Sequence, residues 1–148
     1  MHHASLSRNG FTLLEVIIVL FLITLMLGLS TLFFANTLPS SKFNATVREI
    51  AATVRHAKAL ARLNNESRTV TINLDSKIYG IGSRNSKSIP QDVNIKINSA
   101  VSGDVRNGTY DIVFHSTGGI EGGTIVLWDA KRTASIEIDP VVGAVVIK

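Results

Sequence analysis

The sequence predicts an α+β fold in which one long N-terminal helix, apolar all round and then amphipathic, packs against an antiparallel β-sheet domain. Three observations carry this. Residues 16–35 run without a charge, residues 43–61 keep an apolar stripe at helical spacing, and from Arg68 the apolar period drops to two. The chain divides accordingly into a leader (1–10), a membrane-length helix (11–35), the outer part of that helix (36–64) and a β domain (65–148).

The leader, MHHASLSRNG, holds one formal charge, Arg8, and leads directly into apolar sequence. A secretory signal would place small residues after a short apolar region. Here the small residue, Gly10, precedes the apolar run, and the run is long enough to cross a bilayer core of ~30 Å at ~1.5 Å per residue. That pattern fits a single-span anchor whose N-terminus faces the cytoplasm, because Arg8 is the flanking cation. Glu15 departs from it. An acid at the edge of a membrane span is costly unless something answers it, so it marks a functional position.

Beyond the span, Pro39 lacks an amide hydrogen and is expected to kink or interrupt the helix, and Gly28 is a second weak point or a place of close packing. Phe43, Val47, Ile50, Val54, Ala57 and Ala61 then step by four and three, while Arg48, Glu49, Arg55, Lys58 and Arg62 fall off the stripe. Asn64-Asn65 is a plausible stop. Strands are expected at 70–74, 77–81, 93–97, 110–115, 124–128, 135–138 and 144–147, with turns at 83–88, 102–108, 117–123, 129–132 and 139–143.

Gly10-Phe11-Thr12-Leu13-Leu14-Glu15, followed by the uncharged span, resembles the processing site of type IV pilins and of the pseudopilins of type II secretion systems. The resemblance implies cleavage between Gly10 and Phe11 by a prepilin peptidase, N-methylation of Phe11, and retention of the span. It assigns Glu15 to assembly: its carboxylate would pair with the new α-amine of Phe11, on the same chain or a neighbour, where an unpaired charge is expensive. The helix running into Arg68-Thr69-Val70-Thr71-Ile72, together with Phe114-His115-Ser116-Thr117-Gly118-Gly119 and the strand after Gly123, resembles the GspH/FimT group of minor pseudopilins and minor pilins. In that group two sheets form a β-sandwich-like body against the helix. The implied partners are prepilin peptidase, other pilin or pseudopilin subunits, an inner-membrane assembly platform and a secreted substrate. The implied location is the bacterial inner membrane, with the C-terminal domain in the periplasm. The expected role is a type II secretion pseudopilus subunit, with a minor type IV pilin for pilus assembly or DNA uptake as the alternative.

No enzyme or cofactor is expected. The glycines at 118, 119, 122 and 123 lack the Gly-Lys-Ser/Thr of a phosphate loop and read as a flexible connection. His56 and His115 read as isolated histidines without nearby acids, and Ser116 beside His115 is adjacency alone, so neither a metal site nor a nucleophile is expected. Asp104, Asp129 and Asp139 fall in turns, where aspartate serves the backbone. Trp128 reads as core. The chain has no cysteine. Net charge is +4; Arg84, Lys87, Arg106, Lys131, Arg132 and Lys148 could share one end of the domain, but the last residues hold a single base, and DNA is not an expected partner.

Overall fold

The computed structural model describes residues 11–148 except 83 and 84, and for residues 31–40 and 85 the backbone alone. The leader, with Gly10, and Arg84 therefore lie outside the described residues. The chain forms two compact units, divided between Ser40 and Ser41.

The helix α1 spans Leu13–Leu63. Pro39 does not interrupt it: the backbone is helical on both sides and through the proline, which removes one amide donor and leaves the flanking bonds in place. In the first unit, Leu13–Ser30 has a mean hydropathy of 2.7 and none of it is buried. A helix apolar on every side and uncovered by its own chain needs a lipid or helical environment.

In the second unit the amphipathic part of α1 buries the expected stripe of Phe43, Val47, Ile50, Val54, Ala57 and Ala61, joined by Thr46 and Ala51. The helix stops where Asn65 takes a positive φ of 52°. The amide of Glu66 then reaches back to the carbonyl of Ala61 at 3.2 Å, the closure of a Schellman motif with asparagine in the glycine position.

Among the described residues ten antiparallel strands follow: β1 Arg68–Asn73, β2 Ile78–Ile81, β3 Asn85–Ser88, β4 Asn94–Ser99, β5 Gly103–Val105, β6 Thr109–Phe114, β7 Ile120–Glu121, β8 Thr124–Trp128, β9 Thr133–Ile138 and β10 Val145–Ile147. They make two five-stranded sheets, ordered β3-β2-β1-β6-β7 and β10-β9-β8-β4-β5. The first sheet sets Val70 opposite Ile112, and the second sets Ile97 opposite Ile125 and Ile125 opposite Ile136. These residues are fully buried and share one cluster with Ile50, Val54 and Ala57 of the helix. The helix and both sheets therefore share one core.

Three strands replace expected turns. β3, β5 and β7 fall within 83–88, 102–108 and 117–123. Each lies second to an interior strand at a sheet edge, is no more than four residues long, and is built of polar or glycine-flanked residues that carry no period-two signal. Pairing to the neighbouring strand, not local propensity, makes them strands.

Gly123 is needed for close approach. A Cβ built there would lie 2.5 Å from the carbonyl oxygen of Asn98, with two further backbone atoms at 3.1 Å. Gly123→Ala is expected to pry β4 from β8 and lower stability by about 1–3 kcal/mol, read as a fall in the melting midpoint. A midpoint equal to that of the parent would show that the two backbones are not so close.

The final hairpin is tied to α1 by cations. Lys58 Nζ donates to the carbonyls of Val142 and Gly143, both at 2.8 Å, and Arg55 Nη2 donates to that of Val145 at 3.0 Å. Val145 belongs to the edge strand β10, so the Arg55 bond answers a carbonyl that an edge would otherwise leave open, while Lys58 holds the turn that leads into it. Asp139 Oδ1 accepts from the amides of Val141 and Val142, each at 2.8 Å. Those two amides, with the Lys58 charge behind them, hold the Asp139 carboxyl below the ordinary aspartate range. A carboxylate with a depressed folded pKa stabilises the fold above its unfolded value, near ~3.9, and that stabilisation disappears as pH falls through the lower folded value. Protection of the Val141 and Val142 amides from exchange, measured relative to the intrinsic rate at each pH, should therefore fall on acidification below about pH 4, and Asp139→Asn should flatten that dependence.

Candidate functional site

The first candidate site is the start of α1. Thr12 caps the helix: its carbonyl accepts from the amides of Glu15 at 3.1 Å and Val16 at 3.3 Å, and its Oγ1 accepts from the Glu15 amide at 3.3 Å. Glu15 is thus the third residue of the helix, and Thr12-Leu13-Leu14-Glu15 has the spacing of a capping box, Ser/Thr-x-x-Glu. Its acid sits in the first turn, where the helix dipole favours negative charge. Phe11 precedes the cap and is 79% exposed. The structure therefore brings Phe11, Thr12 and Glu15 into one turn at the mouth of an apolar span. Thr12 is the contributor that the motif's glycine, aromatic and acid drew attention away from, although the Thr-x-x-Glu spacing was there to be read.

The remaining candidates sort differently. His115 has an acid neighbour after all: its Nε2 lies 3.2 Å from Glu121 Oε1, and its Nδ1 lies 3.3 Å from Ser67 Oγ. The hairpin of β6 and β7 delivers Glu121 and the turn after α1 delivers Ser67, so neither partner is a sequence neighbour. Ser116 is not the partner. Glu121 is 76% exposed, and the trio works as a surface clasp between the helix exit and β7. Among the described residues, no three metal-ligating side chains converge.

The glycine-rich stretch is not a simple connection, since it holds β7 and a turn at Gly118, whose φ is 102°. Asp129, like Asp139, turns the backbone: its Oδ1 accepts from the amides of Lys131 and Arg132, both at 2.7 Å. Several of the described basic residues are paired with acids. Lys87 pairs with Glu49 across the helix and the first sheet at 2.7 Å, Lys148 with Glu137 at 2.7 Å, and Arg106 approaches Asp104 at 3.8 Å. Glu49 also accepts a hydrogen bond from Tyr79, whose phenol is pushed well above its ordinary value by burial and by that carboxylate. Trp128 is outside the buried core. Ile125 and Leu127 face inward, so the alternation of β8 turns Val126 and Trp128 outward.

An uncovered apolar span, opened by a threonine-capped turn with an acid at its third position and followed by an α+β body, fits a membrane-anchored structural subunit. Residues 6–31 match the family model of the prokaryotic N-terminal methylation motif. The chain is in this consistent with the type IV pilin-like superfamily, and the motif implies processing by a prepilin peptidase and assembly with other pilin-type subunits. No curated protein and no solved structure matches the chain.

Proposed function

We propose that the protein is a minor pseudopilin, a structural subunit of a type II secretion pseudopilus. It is cleaved between Gly10 and Phe11, methylated on the new N-terminus, and held once in the inner membrane by residues 11–35. Residues 36–64 continue the helix and residues 65–148 form the domain carried in the periplasm. Glu15 answers the α-amine of Phe11 as subunits pack. The observation that carries the reading is the methylation motif running into an uncharged span, Leu13–Ser30.

A minor type IV pilin is the alternative that shares every one of these steps. The pairing of Lys87 and Lys148 with acids speaks against the variant of that alternative in which the domain grips DNA, because phosphate binding draws on uncompensated cations. Deleting the gene and complementing it separates the readings. Loss of exported proteins from the medium with surface pili retained supports the secretion role. Normal export with pili lost would assign the protein to pili instead.

A further inference from the structure

The outer face of the second sheet holds a cavity of about 350 Å³ lined by Lys96, Arg106, Val126, Trp128 and Thr133. Strand register builds it. Lys96 stands opposite Val126 and Trp128 opposite Thr133, on the face that Ile95, Ile97, Ile125 and Leu127 leave for the core. Lys96, Val126, Trp128 and Thr133 are fixed there by sheet register, and Arg106 follows directly on the end of β5.

The electrostatics select the occupant. Asp104 Oδ2 lies 2.9 Å from Lys96 Nζ and 3.8 Å from Arg106 Nη2. One carboxylate thus faces two cations, close to Lys96 and further from Arg106, whose side chain is 66% exposed. A guanidinium fork binds carboxylates bidentately, and tryptophan with arginine is the pair most enriched at binding hot spots. Val126 and Trp128 supply the apolar floor. Nucleic acid fits less well: Asp104 and Glu137 interrupt the positive charge along this sheet, and each engages a lysine, so no track of several phosphates could be neutralised.

We propose that this face of the second sheet is a docking site for an extended acidic–apolar peptide segment of a partner protein, one carboxylate on Arg106 and a neighbouring apolar side chain against Trp128. The proposal stands on the sheet and not on the filament role, so either can fail alone. Trp128 is the only tryptophan in the chain, and its fluorescence therefore reports this site. The full chain in detergent micelles would be titrated with a capped peptide of alternating leucine and glutamate, with a leucine–lysine peptide of the same length, and with oligothymidylate. A saturable change with the acidic peptide is expected, weakened about tenfold by Arg106→Gln and unaffected by Arg62→Gln on the helix. The proposal is overturned by no response to the acidic peptide, by an equal response to the lysine peptide, by indifference to Arg106→Gln, or by tighter binding of oligothymidylate.

Discussion

Replacing Glu15 by alanine is expected to leave the protein in the membrane and to abolish its entry into filaments. The two effects separate on magnitude. Insertion depends on the summed hydropathy of Leu13–Ser30, which an alanine in place of an acid only raises. Local helix stability loses the dipole interaction of a first-turn carboxylate, about 0.3–1 kcal/mol, too little to unfold a helix of this length. Assembly is different. With the chain processed as proposed, packing spans against one another in an apolar phase would strand the Phe11 amine unless a carboxylate met it, and leaving one partner of a buried charge pair alone costs about 3–5 kcal/mol. Glu15→Gln keeps the side-chain length and a polar group at the third helical position but removes the charge, so it should fail in the same way. The measurement is the partition of the protein between the membrane fraction and sheared filaments. Normal incorporation of either variant would remove Glu15 from the assembly role.

Ile50→Ala is expected to produce the largest loss of fold stability. Ile50 is fully buried on the amphipathic part of α1, within the one cluster that the helix and both sheets share. Truncating it removes contacts on several sides and leaves a cavity that two sheets and a helix cannot close, a loss of about 2–5 kcal/mol. Domains of this size have about 5–15 kcal/mol in all, so the melting midpoint should fall by many degrees. Ile17→Ala deletes the same atoms from a side chain that is 54% exposed in the first unit. It should leave the unfolding of the β domain unchanged. Equal effects of the two substitutions would contradict the assignment of the core.

The helix and its buried stripe were readable because residues 43–61 are governed by one strong regularity, the 3.6-residue period. Phe43 through Ala61 fell where that period put them. The long strands were readable for the matching reason, as Val70 and Ile72 or Ile125 and Leu127 alternate with polar or outward residues. The edge strands β3, β5 and β7 were not, because they are two to four residues long, polar or flanked by glycine, and carry no period-two signal of their own; only the hairpin pairing to the preceding strand makes them strands. Trp128 has the bulk and apolarity of a core residue, but the alternation of β8, which buries Ile125 and Leu127, turns it outward. The partners of His115 are not visible in the sequence, because the β6–β7 hairpin folds Glu121 back to it and Ser67 arrives from the turn after α1. At the N-terminus the motif was plain in the sequence, yet the capping role of Thr12 emerged only from its hydrogen bonds.

The central claim is that Gly10 and Phe11 flank a processed bond and that the helix beginning beyond them is retained. Mass spectrometry of the protein isolated from cells with an active prepilin peptidase tests it directly. The expected result is a mature chain that begins at Phe11 with a methylated α-amine. A chain that still begins at Met1 would contradict it.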